Sequence, residues 1–164
     1  MDGGKMRDKR FVAVHRGGAL KKDQHYQLIN WACNCAEHVL HLFGEKIDER
    51  LKNALLIAKE WTKGKATLGD ARNASVSAHA LARESSNPIA VAVARAVGHA
   101  VVATAHMSDH SLGAAVYALK AVKNAGKSID RERKWQNEQL PSEIMELVLT
   151  TRSKKEQGFK DLRI

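Results

Sequence analysis

The densest polar chemistry in this 164-residue sequence lies in two short stretches, Arg95-Ala-Val-Gly98-His99 and His106-Met-Ser-Asp109-His110. On a single helix His99 and His106, seven apart, fall about 20° from each other, with Arg95 about 40° to the other side of His99, so the three form one stripe. His106 and His110 have the four-residue spacing at which two imidazoles can share a metal ion, and Asp109 would be a third ligand. A zinc site of this kind needs further ligands from elsewhere, and no glutamate stands where a general base is required. The simpler readings are hydrogen-bonded polar residues inside an apolar interior, with Asp109 and His110 at a helix start, or a pocket facing a ligand or partner. The candidate pocket comprises Arg95, His99, His106, Asp109, His110 and Tyr117, with Trp61 and Arg72 as neighbours. No metal and no cofactor are expected.

Other catalytic chemistry finds little support. There is no Gly-x-Ser-x-Gly, no phosphate-cradling glycine loop and no pair of carboxylates in an apolar setting, so the chain does not read as an enzyme. A metal-dependent hydrolase would depend on His106 and His110 with a third ligand. His38 and His41 fall on the polar side of their helix with Asn34 and Glu37, a solvated face. Cys33 and Cys35 are two apart and point about 200° from each other on a helix. They cannot form a disulfide with each other and read as packing residues in a reducing compartment.

The elements that must hold these residues are helical. Twenty of the twenty-four alanines lie between Ala54 and Ala125, and aromatics make up only 5%; alanine favours helices, strands favour β-branched and aromatic residues. Apolar residues recur every three or four positions from Tyr26 to Phe43, from Leu51 to Trp61 and from Ala71 to Ala82, marking three helices. Asn87-Pro88 is a helix-start pair for a fourth, apolar nearly all round from Ile89 to Ala105, that runs through the centre of the domain. A single helix from Pro88 to Ala125 would be about 56 Å long, too long for a compact domain, so a break is placed near Ser108, with Ser108 or Asp109 capping the next helix. A short charged helix follows from Asp130 to about Gln139, and Pro141 opens a last helix that ends near Thr150. The expectation is an all-α single-domain bundle of six or seven helices over residues 23–150. Residues 1–22 form a loosely ordered basic arm, with a short extended piece at Phe11–Val14, and residues 151–164 form a polar basic tail.

The net charge is +9. It divides as +4 over residues 1–30, +1 over 31–119 and +4 over 120–164. Nucleic-acid binding through the basic ends is therefore an alternative, if those ends meet in space, although such a patch equally suits an acidic protein. No apolar run is long enough to span a bilayer and the amino-terminal stretch lacks the apolar centre of a signal peptide, which points to the cytoplasm and to no membrane partner.

Three stretches taken together carry a resemblance: Trp31-Ala-Cys-Asn-Cys-Ala-Glu-His-Val-Leu-His-Leu-Phe43; Trp61-Thr-Lys-Gly64 with Ala71-Arg72 and Ala78-His79-Ala80-Leu81-Ala82-Arg83; and Ala94-Arg95 through Gly98-His99, Thr104-Ala-His106 and His110-Ser-Leu-Gly113 to Tyr117-Ala. With Glu132-Arg-Lys-Trp135 through Pro141, they make residues 25 to 150 similar to a family of small helical proteins described as immunity proteins of bacterial toxin systems. The resemblance implies an all-helical domain that binds and neutralises a cognate toxin and has no catalysis of its own. Immunity proteins against nuclease toxins are commonly acidic, and this basic chain departs from that pattern. It better suits a toxin with an acidic face or a non-nuclease activity.

Overall fold

The computed structural model describes residues 9–104 and 109–157. Among the described residues there are seven α-helices and no strand: α1 Lys22–His38, α2 Glu49–Thr62, α3 Leu68–Glu84, α4 Pro88–Val102, α5 His110–Asn124, α6 Ile129–Glu138 and α7 Ser142–Gln157. The all-α bundle expected from the alanine content is what forms.

Helix starts follow side-chain chemistry. Asp48 accepts from the Arg50 amide at 2.9 Å ahead of α2. Thr67 and Asp70 cap α3 reciprocally, at 3.0 and 2.9 Å. Asn87 accepts from the amides of Ile89 and Ala90 ahead of α4. Each such cap stabilises its helix by about 1 kcal/mol. Gly64 and Gly126, just beyond α2 and α5, take the left-handed backbone (φ 73° and 74°) that a chain leaving a helix needs.

The central helix is α4, which packs against α1, α2, α3 and α5. Val93, Val97, Ala94, Ala96 and Ala100 are fully buried along it, and its alanines let the neighbouring backbones approach closely. The expected break between α4 and α5 is present. Asp109 stands at the N-cap position of α5 but in helical geometry and with no capping bond from its side chain. Ser108, the other candidate cap, lies outside the described residues.

Two segments differ from the expectation. Residues 9–22, expected as part of a loose arm with an extended piece at Phe11–Val14, instead form two short 3-10 turns, Lys9–Phe11 and Val14–Arg16, tied by a bridge between Ala13 and Leu20. Phe11 and Leu20 are buried in a second core with Leu28, Trp31 and Cys35 of α1, Leu112 of α5 and Ile144 and Val148 of α7. Burying a side chain the size of Phe11 contributes about 1.5–3 kcal/mol, enough to hold a short polar stretch down. Likewise α7 does not end near Thr150. It continues to Gln157, because Arg152 is drawn into the interior and Glu156 joins it in an ion pair. Among the described residues no helix is long and apolar enough to cross a membrane.

Candidate functional site

Three helices bring the site together. On α3, Arg72, Val76, His79 and Arg83 follow the 4-3-4 spacing of one helical stripe. On α4, Arg95 and His99 are one turn apart, and on α5 His110 and Tyr117 are two turns apart, about Gly113. The Arg95 Nη1 donates to Nδ1 of His79 at 2.6 Å. The His79 and His99 rings meet edge-on with centroids 5.3 Å apart, and His99 stacks on both His110 and Tyr117 at 4.9 and 5.1 Å. Nδ1 of His99 and Nδ1 of His110 lie 2.7 Å apart, so one ring donates and the other accepts.

Two glycines make this packing possible. A Cβ on Gly98 would stand 2.5 Å from the His79 ring, and one on Gly113 3.1 Å from Nδ1 of His99. Any other residue at Gly98 displaces His79. Ser75 adds a tie between α3 and α4 by donating to the Gly98 carbonyl at 3.1 Å. Burial first, then the positive charges of Arg95 and Arg83 and the nearby His110, lower the His79 pKa from 6.5 to about 4. His79 is therefore neutral at neutral pH, with the bare Nδ1 that its Arg95 contact requires.

Of the residues singled out in the sequence, Arg95, His99, His110 and Tyr117 do meet, and Arg72 lies on the His79 stripe two turns before it. Trp61 does not join them. It packs instead against His25 and Tyr26 of α1, at 5.3 and 5.5 Å, because α2 meets α1 there. Asp109 precedes His110, and its Oδ1 is buried with no hydrogen-bond partner among the described residues. His106 lies outside the described residues. Among those residues no three His, Cys, Asp or Glu side chains stand together as a metal-ligating set. The member that sequence reasoning missed is His79. The signal was available: it shares the Arg72–Arg83 stripe, and Gly98 leaves room for a ring on α4.

A second polar cluster joins α1, α6 and α7. Trp31 Nε1 donates to the Gln136 carbonyl at 2.8 Å, and the Gln136 amide donates to the Ala115 carbonyl at 3.1 Å. Arg152, 4% exposed, donates to the side chains of Gln136, of Asn137 at 2.7 Å and of Glu156 at 3.2 Å. Glu156 also accepts from Arg133. Close by, Nδ1 of His38 lies 2.6 Å from the buried Glu132 and the ring stacks on Trp135 at 3.5 Å. His38 is thus not on a merely solvated face, since the carboxylate it meets comes from α6, 94 residues away. The two cysteines are buried, and burial lifts the Cys33 thiol to about 12 and the Cys35 thiol also far above its usual range, which keeps both as packing groups.

Among the described residues one contact links the two end segments: Arg10 donates to the Thr150 hydroxyl at 3.1 Å. The cations Arg133 and Arg152 at that end are held by Glu156, which lowers the positive field they would offer a phosphate backbone.

Residues 18–143 fit the family described as Imm-5 like putative immunity protein. No curated protein and no solved structure matches the chain.

Proposed function

The chain belongs to the Imm-5 like putative immunity protein family, and from that premise we propose that it protects its cell by binding a cognate toxin through the face built by α3, α4 and α5. One observation carries this reading. Helices α4 and α5 contain no aspartate or glutamate, yet Arg95, His99, His110 and Tyr117 emerge from them, and α3 adds the exposed Arg72, Val76 and Arg83 beside them. The surface is cationic and aromatic with an apolar spot at Val76. It complements an acidic patch on a partner, and arginine and tyrosine are the residue types that most often dominate binding energy. Masking by surface complementarity needs no chemistry from this chain.

The test is co-expression with each candidate toxin gene found beside the gene for this chain. Wild-type chain is expected to restore growth and to co-purify with the toxin, and Arg72→Glu/Arg83→Glu to lose both while remaining folded. A wild-type chain that gives neither rescue nor co-purification would sink the proposal. The Arg10–Thr150 contact, which brings the two end segments together, favours a second reading, a nucleic-acid-binding accessory role. Binding to random-sequence DNA that weakens steeply with salt would favour it.

A further inference from the structure

A cavity of about 550 Å³ opens between the amino-terminal segment and the first three helices. Ala13, Val14, Arg16 and Leu20 form one side, Lys22, His25 and Tyr26 of α1 the second, and Trp61, Leu68 and Thr104 close it. Its volume lies in the range of about 300–1,000 Å³ typical of small-molecule sites.

The lining has a consistent chemistry. The aromatic wall is fixed in place: Nε2 of the buried His25 donates to the Ala103 carbonyl at 2.7 Å, and its ring lies against Trp61. Tyr26 meets Trp61 edge-on at 5.5 Å. At the mouth, two large apolar side chains are left in water, Val14 at 57% and Leu68 at 39% exposure. Among the described residues, the ionic groups in the lining are Arg16 and Lys22, both cations, with no carboxylate beside them. Lys22 Nζ is held over the Tyr26 ring, 5.7 Å from its centre, which keeps that charge at the cavity.

An apolar, partly aromatic interior with two cations and no acid among its described lining residues selects an anion with an apolar body. We propose that this cavity binds a small organic carboxylate, its hydrocarbon or aryl part against Leu20, Tyr26, Trp61 and Leu68 and its charged end toward Arg16 and Lys22. The site neighbours the proposed toxin-binding face, since Leu68 lies one turn before Arg72 on α3, but its lining includes none of the residues that carry that proposal.

The experiment titrates decanoate into the full chain by calorimetry and by tryptophan fluorescence, with decanol as the uncharged match. Saturable one-to-one binding is expected, with decanol at least about ten-fold weaker, a difference of about 1.4 kcal/mol. Arg16→Glu/Lys22→Glu should weaken decanoate at least as much and leave decanol unchanged. Val14→Trp, a change at an exposed rim position that thermal unfolding should barely register, should block both. Equal affinity for decanol and decanoate, unaltered binding in both variants, or no binding at all would each overturn the proposal. So would a wild-type dimer in sedimentation that Val14→Trp splits, because a second copy would then cover the mouth.

Discussion

The two polar clusters of this bundle use the same kinds of residue to opposite ends. Between α1, α6 and α7, the charges of Arg152 and Arg133 are answered by Glu156, and the remaining donors of Arg152 by the side chains of Gln136 and Asn137. On α3, α4 and α5, Arg95 is answered by an imidazole rather than a carboxylate, and α4 and α5 supply no acid. Burying a charge without a paired and hydrogen-bonded partner is costly, so the first arrangement is what a structural role demands. The second stays nearer the surface, where its charge is available to a partner. A stripe of polar residues is therefore read for function by asking where its counter-charge comes from, not by how many polar residues it holds.

The comparison predicts its own largest effect. Arg152→Ala should destabilise the chain by about 3–5 kcal/mol, since it leaves the side-chain carbonyls of Gln136 and Asn137 without their buried donor and the half-buried Glu156 with Arg133 alone. Urea unfolding followed by circular dichroism measures this. Toxin binding per folded molecule should stay as in the wild type. A loss under about 1 kcal/mol would erase the distinction between the clusters.

Next in size is Gly98→Ala. The added methyl would occupy the place of the His79 ring, and such overpacking costs about 1–3 kcal/mol. The ring is the movable party, so the bundle should persist while the His79–Arg95 contact is lost. Imidazole resonances in NMR spectra are the readout: His79 should shift and His38 should not.

Much of this was legible in the residues. The helices came from the spacing of apolar positions, and their starts from Asp48, Asn87-Pro88 and the alternation around them, because local capping and periodicity are written in neighbouring residues. The break between α4 and α5 followed from length alone. What was not legible depends on contacts between distant positions. Nothing near Arg152 announces that Gln136 and Trp31 will receive it, so the last helix was ended too early. Phe11 and Leu20 sit in a stretch without helical period, and only the second core gives them a place. In the candidate site, the spacing within one helix groups Arg95 with His99, and the structure brings His110 and Tyr117 of α5 against His99. Trp61 was misplaced because an aromatic on one helix does not reveal which of several neighbours it faces.

The pH response sharpens the contrast between the clusters further. The pKa of His79 falls from 6.5 to about 4 on folding, so between those values the unfolded chain holds a proton that the folded chain refuses. The contribution of this residue to stability is thus fully present above pH 6.5 and is lost progressively as the pH falls toward 4. The groups that oppose its protonation are Arg83 on its own helix, Arg95 on α4 and His110 on α5. Unfolding temperatures taken from pH 7 to pH 4 should drop less steeply for His79→Gln than for the wild type. Identical slopes would mean that the ring is not kept neutral by its surroundings.

The smallest effect on stability belongs to the exposed cations of the same face. Arg72 and Arg83 stand on the outside of α3, and exchanging surface residues usually moves stability by no more than about 0.5 kcal/mol. If the face serves a partner, Arg72→Glu/Arg83→Glu should leave the unfolding curve nearly in place and weaken toxin binding by at least about ten-fold, with most of the early loss in association rate and a flatter salt dependence, because charges at an interface rim steer encounter more than they hold the complex. The same two reversals placed on the α6–α7 side, Arg131→Glu/Lys134→Glu, remove as much charge from the whole molecule. They should leave toxin association unchanged if position rather than net charge decides. Equal losses from both pairs would mean that the protein attracts its partner by its overall positive charge, and the face of α3, α4 and α5 would hold no special claim.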